Sequence, residues 1–95
     1  MALNASQQRT AATLVGTLQG ILGLEGACGA VGNMMAESGL NPGSYHANDR
    51  GKPSAGLCQW RADRFEKLKS MASSGGKSWQ RLDVQVAYLK KELNG

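Results

Sequence analysis

Hydrophobic positions in the first part of the chain repeat with a helical period. In the segment Ser6–Leu22, apolar residues recur at i, i+1, i+4, i+7 and i+8, which places them on one helical face. Gly23 is a stop signal after this segment. The segment Gly26–Ser38 repeats the spacing, Gly39 is a typical C-cap, and Pro42 prevents the helix from resuming. The pattern therefore predicts two helices before residue 40.

The last third of the chain has the same periodicity. One predicted helix covers Ala62–Ala72, with its apolar residues on one face. Residues 73–77, with the sequence SSGGK, form a flexible connection. Ser78 is a suitable N-cap for a further helix that extends to Leu93. We therefore expect four helices in all.

Residues 39–60 are too rich in glycine and proline to be helical. The sequence NDRG at residues 48–51 is a turn signal, and Ser54–Trp60 is suited to a short strand returning from that turn. The predicted fold class is thus α+β and mainly α, with about four helices, a small β-hairpin lobe and a cleft between them. The 95 residues make a single domain.

Composition and charge indicate a globular protein with a mildly basic surface. Hydrophobic residues make up 41% and charged residues 19%, which fits a folded chain. The formal net charge of +4 indicates either attraction to a polyanion or a mildly basic solvated surface. Neither a stacking aromatic platform nor a recognition-helix signature is present, so nucleic acid is not an expected partner.

Cysteine and histidine usage gives no sign of a metal or cofactor. Cys28 and Cys58 are too few for a disulfide scaffold, and their small or apolar neighbours predict buried free thiols, although a single disulfide stays open. With one histidine, His46, and no CxxC motif, we expect no metal site. The segment Met1–Thr10 lacks a signal-peptide pattern, and no apolar stretch approaches the ~20 residues of a membrane span.

Glu37 is the most informative candidate for chemistry. It lies on the shoulder of the apolar stripe and in the last turn of the second predicted helix. The negative pole of the helix dipole and partial burial both favour the protonated carboxyl group, which is the form that a general acid needs. Asn33, one turn earlier, could hydrogen-bond this carboxyl group, and Ser38 is expected to bond to backbone. The alternative is an ordinary charged residue at a helix edge.

Three sequence runs resemble the phage tail lysozyme family. Residues 32–42, GNMMAESGLNP, resemble its catalytic-helix motif, and residues 54–60, SAGLCQW, are similar to its Gly-Leu-x-Gln-Trp strand. The second run is also similar to a strand of goose-type lysozymes and soluble lytic transglycosylases. Arg64 follows where these tail lysozymes carry a basic residue, and residues 83–93 resemble a later helix of the family. The resemblance spans Leu14–Leu93 in the family's order.

The resemblance implies a lysozyme-like fold and a peptidoglycan substrate. Glu37 corresponds to the catalytic glutamate, and Gly56–Trp60 to the strand that lines the cleft. The expected activity is that of a muramidase, which cleaves the β-1,4 bond between N-acetylmuramic acid and N-acetylglucosamine. A lytic transglycosylase with the same acid and a non-catalytic glycan-binding tail module are the alternatives.

The family also implies a context for the chain. Its expected location is the virion tail, acting on the host cell wall or periplasm, with other tail or baseplate proteins as partners. Family domains usually continue past the helix that ends near Leu93, whereas this sequence ends at Gly95. Either the further elements are dispensable, or this is a domain of a larger tail protein, or a partner protein supplies the missing wall of the domain.

Asp49 is the expected second catalytic group. The oxocarbenium-like state needs a negative partner, an activated water or the N-acetyl group of the substrate. Asp49 lies in the predicted hairpin turn and would face the cleft, while its alternative role is turn formation. Asp63 is a weaker candidate, since it caps or decorates the third predicted helix.

Four residues are expected to bind substrate: Gln59, Trp60, Tyr45 and Ser54. Gln59 would hydrogen-bond a sugar amide or orient water, and Trp60 would stack on a sugar face. Tyr45, like His46, would line the cleft from the lobe. The alternatives are a structural bond from Gln59 to loop backbone, a core position for Trp60 and a solvent-exposed His46.

Overall fold

A computed structural model describes residues 3–95 of the chain. It contains three helices and three short strands. In chain order these are α1 (Ala5–Ser38), β1 (Tyr45–Asp49), β2 (Lys52–Ala55), β3 (Trp60–Arg61), α2 (Asp63–Ser74) and α3 (Leu82–Leu93). The fold is therefore α+β and mainly helical, as predicted, but the count of four helices is not reproduced.

The difference in count comes from α1, which is folded back on itself at Gly23. A straight helix of its 34 residues would be about 51 Å long, whereas the longest dimension of the molecule is 31 Å. Gly23 has φ 75° and ψ 168°, a backbone conformation open essentially to glycine alone. Near the two ends of α1, the Gln7 side chain donates a hydrogen bond of 3.1 Å to the Gly39 carbonyl. The two predicted helices are thus the antiparallel arms of one element.

The strands form a three-stranded antiparallel sheet in the order β1-β2-β3. The predicted hairpin turn is confirmed: Asp49 pairs with Lys52, and the two residues between them, Arg50 and Gly51, have φ of 54° and 88°. Positive φ at both central positions defines a type I′ turn, whose twist matches that of paired strands.

The predicted strand Ser54–Trp60 is correct only at its ends, since Ser54 and Ala55 belong to β2 and Trp60 to β3. Residues 56–59 form a turn between β2 and β3, in which Gly56 and Gln59 have φ of 83° and 49°. Such values are incompatible with a continuous strand. Gln59 is thereby placed in a tight turn, where its side chain faces different neighbours from those of a strand residue.

The helices after the sheet begin later than the sequence predicts. α2 starts at Asp63, and α3 starts at Leu82, so that Ser78 is not an N-cap. The Ser78 hydroxyl instead accepts a hydrogen bond of 3.1 Å from the Gln80 amide, which closes a local turn ahead of α3.

One hydrophobic core joins all three helices to the sheet. Its largest fully buried members come from both sides: Trp60, Leu14, Leu18, Leu57 and Leu68. The apolar face of the first arm of α1 is not covered throughout, since Ile21 and Leu22 each keep 36% of their surface exposed. By length and composition alone α1 is apolar enough to cross a membrane, but its fold at Gly23 leaves two shorter arms, each with residues in the core.

Candidate active site

Glu37 lies in the last turn of α1, where two surface cavities meet. One is polar, has a volume of about 270 Å³, and is lined by Glu37 and residues of the sheet region. The other is mainly apolar, has a volume of about 310 Å³, and is lined by residues of both arms of α1, of α3 and by Cys58. Glu37 belongs to both linings. The structure thus gives this carboxylate a polar neighbour surface on one side and an apolar one on the other.

The polar cavity gathers most of the residues that the sequence singled out. Its members other than Glu37 are His46, Asn48, Asp49, Ser54 and Gln59. They come from β1, β2 and the turn after β2, so the folding of the hairpin toward the end of α1 brings them together. Asp49 and Glu37 therefore line one cavity.

The end of α1 is fixed by its neighbours. Gly39 adopts the left-handed conformation of a C-cap, and its amide donates a hydrogen bond of 2.9 Å to the Met35 carbonyl. The Ser38 hydroxyl lies 2.8 Å from the Leu57 carbonyl and 3.0 Å from the Met34 carbonyl. The predicted backbone bond of Ser38 is confirmed, and it ties the residue after Glu37 to the turn that follows β2.

The environment of Glu37 differs from the prediction in two respects. The side chain is exposed, so the expected partial burial is wrong for the protein without substrate. Asn33 lines the apolar cavity with Glu37, but within residues 3–95 the two side chains form no hydrogen bond. Glu37 does occupy the C-terminal turn of α1, as the sequence predicts.

Asp49 is held by its backbone while its carboxylate remains accessible. Its side chain keeps 35% of its surface exposed and lies 3.4 Å from Nε of Arg50, itself 81% exposed. Arg61 donates from Nε to the Asp49 carbonyl and from Nη2 to the Arg50 carbonyl, both at 2.8 Å. Arg61 thus braces the turn that carries Asp49. Sequence reasoning missed this role, because an arginine in β3 carries no local signal of it.

Ser54 and Gln59 form a linked pair on the floor of the polar cavity. The buried Ser54 hydroxyl donates a hydrogen bond of 3.0 Å to the Gln59 side-chain carbonyl, and the Gln59 amide nitrogen donates one of 2.9 Å to the Gly56 carbonyl. The structural bond from Gln59 to loop backbone is therefore present. A glutamine amide has a second N–H and a second lone pair, so Gln59 retains hydrogen-bonding capacity toward the cavity.

Trp60 does not provide a stacking surface for a sugar. It is completely buried, packs edge-on against Tyr88 at a centroid distance of 5.3 Å, and donates from Nε1 to Glu92 at 2.8 Å. The expectation that Trp60 binds substrate is wrong in this conformation. Its indole has instead the core position that was the alternative.

Tyr45 is likewise not part of the cavities that contain Glu37. Although 52% exposed, its ring lies 6.0 Å from that of Phe65 and 6.4 Å from that of Trp79. Successive residues of a strand point to opposite faces of the sheet, and His46, the next residue, is the one that lines the polar cavity. The alternation explains why the prediction failed for Tyr45.

Gln85 shapes the site, a role that the sequence analysis did not predict. Fully buried in α3, it accepts a hydrogen bond of 2.8 Å from the Leu57 amide and donates to the carbonyls of Pro42 and Trp79 at 2.7 and 2.8 Å. A Cβ atom at Gly56 would come within 2.9 Å of Oε1 of Gln85. Because Gly56 has no side chain, the Gln85 side chain can approach the turn closely. Its three hydrogen bonds then hold in place that turn and the segments that contain Pro42 and Trp79.

A second carboxylate, Glu92, is held by cationic and aromatic donors. Arg64 donates to it from Nε and Nη2, both at 2.8 Å, and Trp60 adds a third bond of 2.8 Å. The hydrogen bonds from Arg64, chief among these contacts, lower the pKa of Glu92. A carboxylate so strongly stabilised as an anion is a poor proton donor, which leaves Glu37 as the better candidate.

The cysteines are free, but their burial differs from the prediction. Cys28 is exposed, whereas Cys58 is half-buried and lines the apolar cavity with Glu37. Burial raises the pKa of the Cys58 thiol to about 11, so the thiol is un-ionised near neutral pH. Among residues 3–95, no group of three or more His, Cys, Asp or Glu side chains is arranged to hold a metal ion.

Together these features describe a small, mainly helical α+β protein with an accessible glutamate at a helix end beside a polar cavity in a β-lobe. The sequence model of the phage tail lysozyme family matches residues 6–95, nearly the whole chain. The chain therefore belongs to the phage tail lysozyme family. Comparisons with curated proteins and with solved structures find no match.

Proposed function

We propose that this domain is a muramidase of a phage tail, with Glu37 as its general acid. The observation that carries the proposal is the position of Glu37 on the border of the polar and apolar cavities, at the end of α1. A glycan strand has both hydroxyl-bearing edges and less polar faces, and such a border can contact both. Membership in the phage tail lysozyme family supports the same substrate class.

The proposed first step is protonation of the glycosidic oxygen by Glu37. In the free protein the carboxylate is exposed, so bound substrate must itself exclude the water. A strand lying on the apolar wall beside Leu22 and Met34 would do so. In such a water-excluded site the Glu37 carboxyl group would contact the glycosidic oxygen directly. The leaving-group oxygen then takes the proton as the bond to the sugar breaks.

Asp49 is the proposed second group of the reaction. Its partly exposed carboxylate shares the polar cavity with Glu37 and stands on a turn braced by Arg61. From there it would activate a water molecule or stabilise the oxocarbenium-like state directly. Gln59, on the floor of the same cavity, would orient the water or bind a sugar amide.

Product analysis of digested cell walls tests this proposal. Hydrolysis leaves reducing muramic ends, whereas the lytic transglycosylase alternative leaves anhydro ends because the muramic 6-hydroxyl replaces water. The proposal predicts reducing ends by mass spectrometry. It also predicts a fall in rate of about 10²-fold or more for Asp49→Asn, with the melting temperature as a check on folding. Anhydro ends, with Asp49→Asn fully active, would instead support the transglycosylase.

The location of the domain follows from the family. We propose that it is carried on the virion tail, next to other tail or baseplate proteins, and acts on the host cell wall. A non-catalytic glycan-binding module is the alternative, and it predicts wall binding without release of any fragment.

A further inference from the structure

A third cavity lies against a different face of α3 from the apolar cavity beside Glu37. It has a volume of about 600 Å³ and is lined by residues of α2, of the end of α3 and by Gly95, among them the charged side chains Arg64, Lys67, Lys91 and Glu92. We name it the basic cavity. It is larger than either cavity that Glu37 lines, and the mechanism proposed above makes no use of it.

The charges in the basic cavity do not cancel. Arg64 and Glu92 neutralise each other through two hydrogen bonds of 2.8 Å. Lys67 and Lys91 are both exposed, and neither forms an ion pair with any residue of the range 3–95. Two ammonium groups facing one concavity repel each other unless an anion lies between them. The cavity therefore favours a ligand with negative charge.

The last turns of α3 separate this cavity from the candidate active site. Leu89 and Leu93 line the apolar cavity beside Glu37, whereas their neighbours Tyr88 and Glu92 line the basic one. The last turns of α3 thus form part of the wall of both cavities. A helix with its side chains is about 10–12 Å across, and an extended peptide spans about 3.3 Å per residue, so three or four residues reach across one helix.

We propose that the basic cavity binds the carboxylates of the short peptides carried by peptidoglycan. The inference rests on the proposed function, since each muramic acid bears such a peptide next to the bond that Glu37 would cleave. With a strand across the active site, the peptide passes over the end of α3, and its carboxylates pair with Lys67 and Lys91. Nucleic acid is less well matched, because Tyr88, the aromatic residue in the lining of the cavity, is buried and offers no stacking surface.

Binding to the Glu37→Gln variant tests the inference without cleavage. The probes are a disaccharide–tetrapeptide prepared from cell walls and the same disaccharide without its peptide, titrated by calorimetry at low salt. We expect the peptide to improve affinity roughly tenfold, as two partly exposed ion pairs allow, and the gain to shrink at high salt. The double variant Lys67→Gln/Lys91→Gln should lose this gain.

The matched control is Arg9→Gln/Lys90→Gln, which removes the same charge from exposed residues outside the basic cavity. It should keep the gain from the peptide. Equal affinity for the two probes, or equal loss in both double variants, would overturn the inference. Displacement of the peptide-bearing probe by DNA of similar charge would also overturn it, since it would show a general polyanion site. Because these measurements need no turnover, they remain informative if Glu37 proves not to be the acid.

Discussion

Glu37 and Glu92 show how differently one residue type can be placed in this molecule. Glu92 accepts three hydrogen bonds from Arg64 and Trp60, which stabilise its anion and lower its pKa. Glu37 is exposed and lies at the negative pole of a helix. The first arrangement ties a carboxylate into the structure, and the second leaves a carboxylate accessible to a ligand.

Replacement of Glu92 should change how stability depends on pH. Because the folded-state pKa of Glu92 is lowered, the stability that it contributes is complete above its ordinary pKa of 4.5. This stability is lost as the pH falls through the folded-state pKa. Glu92→Gln should lower the free energy of unfolding near pH 7 by roughly 1–2 kcal/mol. Below pH 4.5 the difference in free energy of unfolding between Glu92→Gln and wild type should become smaller. Urea unfolding at a series of pH values measures both effects.

The control for this prediction is Glu66→Gln. Glu66 also pairs with a cation, Lys69, but its side chain is 65% exposed. Little change in stability is expected there. A constant gap between Glu92→Gln and wild type from pH 7 down to pH 3 would contradict the structural role of the Glu92 carboxylate.

At the residue scale, sequence reasoning predicted which residues lie at the candidate site better than it predicted what surrounds each of them. It brought Glu37, Asp49, Ser54 and Gln59 to one site because their motifs are local and strong. It misjudged Trp60, because its burial depends on Tyr88 and Glu92, about 30 residues away along the chain.

At the scale of elements, Gly23 determines the shape of α1. Its φ of 75° and ψ of 168° reverse the chain, and a Cβ atom there would meet no other atom within 4 Å. The strain caused by a substitution would thus come from the backbone alone. Any other residue at this position either stores that strain or straightens the helix and separates the two arms.

A pair of alanine substitutions in α1 tests this role. Gly23→Ala should lower the free energy of unfolding by about 1–3 kcal/mol, the cost of forcing a side chain into that backbone region. Gly20→Ala, three residues earlier in regular helix and also in open space, should raise it by about 0.5–1 kcal/mol. Thermal or urea unfolding followed by circular dichroism gives both values. Stabilisation of equal size at both positions would show that α1 does not need the reversal.

The elements that were predicted well are those with local signals. The hairpin turn could be predicted from the sequence NDRG alone, because the turn is closed by local geometry. Arg50 and Gly51, the two residues between the paired Asp49 and Lys52, both have positive φ. The turn at residues 56–59 was missed, because Gln85 holds it from a distant helix. The late start of α3 was missed because Ser78, which resembles an N-cap, closes a separate turn.

At the scale of the whole molecule, the cavities arise where distant segments meet. The walls around Glu37 come from both arms of α1, the hairpin, the turn after β2 and α3. No local pattern could predict these neighbours. The structure shows where part of the net charge of +4 is concentrated, since the exposed Lys67 and Lys91 line one cavity on α3.

The rate of wall clearance by Glu37→Gln, compared with that by Glu25→Gln, tests the central claim most directly. Glu25 is exposed on the same arm of α1 and lines neither cavity that contains Glu37. Glu37→Gln should lose about 10²–10⁴-fold in rate while keeping the wild-type melting temperature, and Glu25→Gln should clear walls at the wild-type rate. Equal clearance by all three proteins would show that Glu37 is not the acid.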